Sequence, residues 1–184
     1  MQTTDTGTYL KVDDRPAVRF ERIYDHPVER VWEAISDPAQ MCHWFPSPEV
    51  SHDAREGGSI TLSGDPYAPG AKTSRVLVWD PPRRFSFEWE DDELHFTLTE
   101  VDEGCRLELV NILSKDGAAA RNAAGWEICL EHLDRVVAGT WEGSPADGSM
   151  AEFQPVLEKY KTRGLPDDGW LPEEPSLSCA RPVQ

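Results

Sequence analysis

Apolar residues in the first third of the chain follow the period of a helix with one buried face. At the spacing i, i+3, i+4 and i+7 they come to one side of such a helix. These residues are Val28, Val31, Trp32 and Ile35. Pro38 then stands at a favourable first helical position and begins a second short helix. The sequence therefore predicts two consecutive short helices.

Beyond about residue 58 the period changes to two, which is typical of strands with one covered face. Phe85, Phe87 and Trp89, for example, alternate with polar residues. Turn-forming residues such as Gly57-Gly58 separate these segments. A similar alternating segment precedes the helices. The predicted strands are residues 18–24, 59–62, 74–79, 85–89, 94–101 and 105–113.

A long helical segment over residues 117–137 follows the strands. Gly139 is placed to end this helix, because glycine readily adopts the left-handed conformation of a helix C-cap. The apolar stripe of the segment is Ala119, Ala123, Trp126, Leu130, Leu133 and Val137. One face of the helix is therefore expected to be buried.

The two ends of the chain have less regular patterns. Residues 1–15 are interpreted as a flexible lead. Residues 141–184 form an extension with one short amphipathic helix at about 151–162 and an irregular tail. Two hypotheses for the short helix stay open: it covers a pocket of the main domain, or it pairs with another subunit.

This order of elements predicts an α+β fold, in which a curved antiparallel sheet wraps around the long C-terminal helix. The two short helices would close one end. Because a single helix cannot fill the concave side of so wide a sheet, we expect a cavity between the sheet and the helix.

The composition limits the classes of partner. The chain has 184 residues and a formal net charge of -16. A nucleic-acid binder needs a basic surface, and anionic membranes repel an acidic protein, so both partners are disfavoured. No apolar run is long enough to span a membrane. Four scattered cysteines without a paired spacing indicate reduced thiols and a cytoplasmic protein.

Several segments together resemble the activator of heat-shock-protein-90 ATPase homologue family, which belongs to the START/Bet v 1-like (SRPBCC, helix-grip) superfamily. The resemblance covers about residues 16–140. The segments that carry it are PVERVWEAI from Pro27, Asp37-Pro38, Trp44-Phe45, DAREGG from Asp53, DPPRR from Asp80, FEW from Phe87, and AAGWE from Ala123 with Leu130, Leu133 and Gly139.

The resemblance implies a helix-grip domain at 16–140 between the flexible lead and the extension. Members of the family resemble small-molecule or lipid binders, cyclase-like enzymes and co-chaperone domains. Because one fold supports many functions, the function has to be argued from the site. The leading hypothesis is binding of an apolar or amphipathic small molecule in the sheet–helix cavity. A co-chaperone-like interaction module, a homodimer contact, and a cyclase- or hydrolase-like enzyme stay open.

The candidate ligand-binding residues are mainly inward-facing aromatic side chains, since apolar walls with few polar groups are typical of small-molecule pockets. Core packing is the alternative for the same residues. Asn111 either orients a ligand or is an amide bonded to backbone or water. The candidates are Trp44, Phe45, Phe87, Trp89, Phe96, Leu109, Asn111, Trp126, Leu130 and Leu133.

No catalytic motif accompanies these candidates. Nucleotide-binding loops, serine-hydrolase elbows and zinc-protease motifs do not occur in the sequence. His43 and His52 are placed near the expected pocket mouth, but neither has a carboxylate partner at a diagnostic spacing. An enzyme of this kind would have to use pocket water with Asn111 or His43. No cofactor and no metal are implied.

Overall fold

The structure, a computed structural model, describes residues 6–173 of the chain. Cys179 lies outside the described residues. Eight strands form one antiparallel sheet, and they are β1 (Thr8–Val12), β2 (Arg15–Tyr24), β3 (Glu49–His52), β4 (Ser59–Ser63), β5 (Lys72–Asp80), β6 (Arg84–Trp89), β7 (Asp92–Val101) and β8 (Gly104–Ile112). Their order across the sheet is β1-β2-β8-β7-β6-β5-β4-β3.

Within residues 6–173, four α-helices accompany the sheet, with one 3-10 turn before α3 and another before α4. The helices are α1 (Val28–Ser36), α2 (Pro38–Met41), α3 (Ala119–Ala138) and α4 (Met150–Thr162). The sheet is curved around α3, and the short helices α1 and α2 close one end. The predicted α+β architecture is confirmed.

The ends of α3 are fixed by local chemistry and by contacts with earlier elements. Gly139 ends the helix in the left-handed conformation with φ 74°, as its sequence position predicts. Near the same end, Tyr24 donates a hydrogen bond to the Asp134 carboxylate at 2.8 Å. The Arg30 side chain of α1 donates to the Val136 carbonyl at 2.5 Å. These bonds fasten the C-terminal half of α3 to β2 and α1.

The sequence pattern does not predict the strands β1 and β3. Residues 8–12 belong to the segment that the sequence predicts as a flexible lead, but they form β1 and pair with β2. The assignment of a flexible lead is therefore wrong for this segment. Its turn residues Asp13 and Asp14 both have positive φ, which a two-residue hairpin turn requires and which aspartate tolerates better than most residues. The edge strand β3 is short and only half-covered, so its alternation is weak.

The orientation of β5 is set by an irregularity that the sequence does not reveal. The pairing register with β6 shifts between Val76 and Val78. Such a bulge changes which side chains face the core. Val76 is fully buried, and Trp79 packs its ring edge-on against Trp32 of α1 at 5.2 Å.

The C-terminal extension is part of the folded body over the described residues. The hydroxyl of Tyr160 in α4 accepts a bond from the Gly7 backbone N–H at 3.0 Å and donates to the Glu127 carboxylate of α3. Lys159 also pairs with Glu127. The Tyr160 ring is buried edge-on against Phe20 of β2 at 6.4 Å. The predicted helix therefore docks on its own chain, and the division of the chain at residues 15 and 140 stays a prediction.

Candidate functional site

A cavity of about 450 Å³ lies between α3 and α4. It is within the size range of small-molecule sites. One wall is a face of α3, and the opposite wall is the N-terminal half of α4 with the preceding 3-10 turn. The β4–β5 loop and the end of β6 complete it. The apolar side chains in these walls include Trp89, Trp126, Ile128, Met150, Phe153 and Val156.

Two tryptophans form the aromatic floor of the cavity. Trp89 ends β6, and Trp126 projects from the middle of α3. Their rings meet edge-to-face with centroids 5.3 Å apart. Phe45 packs beneath both rings, at 5.9 Å from Trp89 and 5.7 Å from Trp126. The floor is therefore held in place by Phe45 from the core side, and both tryptophans line the cavity.

Asn111 supports this floor from within the core. Its amide oxygen accepts hydrogen bonds from the Trp126 indole N–H at 3.0 Å and from the Asn122 side chain at 3.1 Å. Its amide nitrogen donates to the Glu93 carbonyl at 3.3 Å. An amide oxygen has two acceptor positions, so both are occupied. Asn111 is fully buried and holds two cavity-lining side chains, Trp126 and Asn122, in place.

Of the ten candidate residues, the structure brings Trp89 and Trp126 to the cavity. The other eight pack into the core beneath it or on the far side of α3, and each is at most 1% exposed. Their inward orientation agrees with the sequence alternation, but neighbouring side chains fill the space around them. These eight are Trp44, Phe45, Phe87, Phe96, Leu109, Asn111, Leu130 and Leu133. A binding role for any of the ten stays a prediction.

The packing of the α2–β3 segment explains why the interior is filled. The Trp44 indole N–H donates to the Ala34 carbonyl at 2.8 Å, which anchors the segment on α1. Trp44 then meets Phe96 at 5.9 Å, and Phe45 meets Phe87 at 6.0 Å. These rings occupy the space between sheet and helix where the sequence predicts a cavity. The open volume lies instead on the side of α3 that α4 covers.

Gly125 opens the α3 wall. It lies in the middle of the helix and lines the cavity. A Cβ atom built on this residue would meet no other side chain or loop within 4 Å. Glycine in a helix interior costs roughly 0.5–1 kcal/mol relative to alanine. Packing does not demand this glycine, and its effect is to leave additional room beside Trp126.

Polar groups are few and have distinct environments. Asp65, in the β4–β5 loop, is half-buried, and burial raises the pKa of its carboxyl group above the ordinary value. Burial and then the Arg135 charge lower the pKa of His132, so its imidazole is neutral near pH 7. Cys129 is buried in the α3 wall, and burial followed by the Asp65 charge raises the pKa of its thiol well above the ordinary value. The thiol is therefore protonated and poorly nucleophilic.

The other histidines of the sequence argument lie elsewhere. His52 packs against Trp79 and Phe85 at ring distances of 5.2 and 5.5 Å, and its Nε2 atom lies 2.7 Å from the Ser36 carbonyl oxygen. The His43 ring packs against the Trp141 ring at a centroid distance of 5.3 Å, with the two planes tilted by 34°. Neither lines the cavity described here. Among residues 6–173, no group of three or more His, Cys, Asp or Glu side chains is arranged to hold a metal ion.

Sequence reasoning missed the walls that come from distant parts of the chain. Asp65 and Tyr67 stand in a loop without periodicity, and Phe153 belongs to an amphipathic helix whose docking position the pattern does not specify. Gly125 carried a usable signal, since a glycine inside an alanine-rich helix has to be explained by packing or by function.

The family follows from the sequence between α1 and the end of α3. Residues 25–138 match the family described as "Activator of Hsp90 ATPase homolog 1-like protein". The chain belongs to this family. The resemblance stated above is therefore confirmed. Members of the family typically have a ligand-binding cavity. None of the curated proteins compared with the chain matches it.

Solved structures support the fold. CalU16 from Micromonospora echinospora shares 25% sequence identity with this chain. Its crystal structure aligns with a TM-score of 0.64 and covers 88% of this chain and 97% of that one. The solution NMR structure of CalU16 aligns with 26% sequence identity and a TM-score of 0.69, and it covers 88% of this chain and 94% of that one. A conserved protein of unknown function, EF2215 from Enterococcus faecalis, is 17% identical with a TM-score of 0.69 over 85% and 89%, which shows the fold alone. Within the described residues, no helix is long and apolar enough to cross a membrane.

Proposed function

We propose that the protein binds an apolar or amphipathic small molecule in the cavity between α3 and α4. The observation that carries this proposal is Gly125: the middle of α3 gives up helix stability and leaves an open volume beside two tryptophans. A helix that served only to complete the core would gain from a larger side chain at this position.

The walls suit such a ligand. Trp89, Trp126 and Phe153 give large apolar surfaces, and burial of apolar area contributes roughly 25 cal/mol per Å². A small number of polar groups, among them Asp65 and Asn122, are available to orient the ligand. The cavity has no activated nucleophile, because the Cys129 thiol is held protonated by burial and by Asp65. The geometry supports binding better than covalent catalysis.

The C-terminal extension supplies the outer wall of the site. Met150, Phe153 and Val156 of α4 face the cavity, while the following turn is anchored through Tyr160 and Glu127. Removing the extension would expose the Trp89–Trp126 floor to solvent. In this proposal the short helix has the first of the two roles that the sequence left open, and pairing with another subunit is not required.

A substitution that fills the cavity tests the proposal without disturbing the core. Gly125→Phe places a ring in the open volume, and Gly125→Ala is the matched control because it adds one methyl group where space exists. Binding of the neutral fluorescent probe N-phenylnaphthylamine is measured for wild type and both variants, together with thermal unfolding. Native mass spectrometry of gently purified wild-type protein identifies any natural ligand.

We expect wild type and Gly125→Ala to bind the probe with affinities within about threefold of each other, and Gly125→Phe to bind at least about tenfold more weakly. All three proteins should unfold cooperatively. Equal binding by a folded Gly125→Phe variant would place the probe elsewhere and would overturn the proposal for this cavity.

A further inference from the structure

Asp65 identifies the chemical class of the ligand. We infer that the ligand carries a basic nitrogen, and that this group pairs with the Asp65 carboxylate while the apolar part lies on the tryptophan floor. The inference rests on the proposed function of the same cavity and extends it to a specificity-determining residue.

The position of Asp65 is built into the β4–β5 loop. One carboxylate oxygen accepts a hydrogen bond from the Tyr67 backbone N–H at 2.8 Å, which is the two-residue pattern of an Asx turn. The loop thereby holds the carboxylate at the cavity wall. Among the residues that the structure describes, no lysine, arginine or histidine forms an ion pair with Asp65. The charge lacks a counterion from the described chain.

The electrostatic surroundings make this uncompensated charge costly. Burial raises the pKa of Asp65 most, the N–H groups of Tyr67 and Ala68 lower it less, and the Glu90 carboxylate raises it further. The electrostatic influence of the Asp65 charge reaches the α3 wall, where it raises the pKa of the Cys129 thiol. A cationic ligand group would relieve both the desolvation and the repulsion from Glu90.

The positive groups in the cavity walls do not offset Asp65. Arg121 is engaged by the Asp168 carboxylate at 3.1 Å and by the Trp170 carbonyl at 2.9 Å, and its guanidinium stacks on the Trp170 ring. His132 is neutral near pH 7 because burial lowers its pKa. Arg135 is exposed to solvent, and it does not contribute to the pKa shift of Asp65.

The aromatic residues around Asp65 suit the same ligand. Tyr67, Trp89 and Trp126 line the cavity with the carboxylate, and cations are attracted to the faces of tryptophan and tyrosine rings. A carboxylate among aromatic walls therefore favours an ammonium group over a neutral or anionic one. The net charge of -16 also attracts cations to the protein surface and repels anions.

Three probes that share one ring system separate charge from shape: naphthylethylamine, naphthylethanol and naphthylacetate. Their dissociation constants are measured by displacement of N-phenylnaphthylamine at pH 7 for wild type, Asp65→Asn and Asp91→Asn. Asparagine at position 65 retains the acceptor of the Asx turn but removes the charge. Asp91 is an exposed hairpin residue outside the cavity, so its variant controls for the general loss of one negative charge.

We expect wild type and Asp91→Asn to bind the amine at least about tenfold more tightly than the alcohol, and the acid most weakly. Asp65→Asn should bind the amine and the alcohol about equally, with its affinity for the alcohol unchanged within about threefold. If wild type shows no preference for the amine, or if Asp65→Asn retains it, the inference is wrong.

The variant Gly125→Phe distinguishes this failure from a failure of the proposed function. Probes that bind without charge preference and are blocked by Gly125→Phe would leave the binding function standing and remove only the role of Asp65. Probes that do not bind, or that Gly125→Phe does not block, would overturn both.

Discussion

Asn111 should be coupled energetically to Trp126, because the two side chains form one buried hydrogen bond behind the cavity floor. Asn111→Leu keeps a similar volume but removes the acceptor of the Trp126 indole N–H, which lies 3.0 Å away. Trp126 is 2% exposed, so water cannot replace the lost partner without a rearrangement of the core. The second donor, Asn122, retains a bond to the Asp92 carboxylate at 3.2 Å.

The size of the effect follows from these environments. A buried donor left without a partner costs about 1–3 kcal/mol. The Asn122 amide should add little, since it is half-exposed and already bonded to Asp92. Leucine recovers part of the loss through its apolar surface, so we expect Asn111→Leu to lower the free energy of unfolding by about 1–2 kcal/mol. Trp126→Phe removes the donor as well, and in that background Asn111→Leu no longer leaves an indole N–H unpaired, so this part of its cost disappears.

A double-mutant cycle isolates the coupling. Urea unfolding of wild type, Asn111→Leu, Trp126→Phe and the double variant is followed by far-ultraviolet circular dichroism at 222 nm, which reports mainly on the helices, whereas tryptophan fluorescence would change directly with the substitution. We expect a coupling energy of about 1–2 kcal/mol. A coupling below about 0.5 kcal/mol would mean that the two substitutions act independently, and it would refute the argument that this bond positions Trp126.

Four further results are expected. Gly125→Ala should raise the free energy of unfolding by about 0.5–1 kcal/mol in urea titration, because alanine stabilises a helix interior and fits the open space; a loss would mean that the space is not there. Tyr160→Phe should lower the free energy of unfolding by about 2 kcal/mol, since it removes a partly buried hydrogen bond to the Glu127 carboxylate. Amide hydrogen exchange in α4 should also accelerate, and unchanged exchange would mean that other contacts anchor the helix. Pro155, in the interior of α4, cannot donate a helical hydrogen bond, so Pro155→Ala should slow amide exchange in this helix, and unchanged exchange would contradict that explanation. Burial raises the carboxyl pKa of Asp65 in the folded state, so above the ordinary value of 3.8 the ionised carboxylate opposes folding. Asp65→Asn should therefore have a higher free energy of unfolding than wild type at pH 7 but not at pH 3. Equal free energies of unfolding at both pH values would argue against a desolvated carboxylate.

The sequence predicts the secondary structure well where one face of an element is buried along its whole length. Apolar and polar residues alternate over most of β6, β7 and β8, and the stripe of α3 contains large side chains on one side. Burial of one face imposes these periods directly, so local patterns suffice. β1 and β3 lie at the two edges of the sheet, where one neighbour is missing and the alternation is less constrained.

The site is less predictable because alternation shows which way a side chain points but not what fills the space in front of it. Phe87 and Trp89 lie on the same face of β6, yet Phe87 is in the core and Trp89 borders the cavity. Phe45, from a segment more than forty residues away, packs against both rings, but only Phe87 is also covered by the Phe96 ring of β7. The other cavity wall depends on the contact of Tyr160 with Glu127, which no local period encodes.

The position of the cavity has a consequence for ligand choice within the family. The family match ends at residue 138, at the end of α3, whereas α4 and its cavity-facing residues Phe153 and Val156 lie beyond it. Part of the site therefore belongs to the family domain, and its outer wall belongs to the extension. Phe153 and Val156 also pack against the hydrophobic core, of which Leu157 and Tyr160 of α4 are part, so substitutions in that wall affect both the cavity lining and the docking of α4. If the proposed ligand binds in this cavity, the extension is where its contacts can differ between proteins that share the family domain, and each such change acts on the packing of α4 as well.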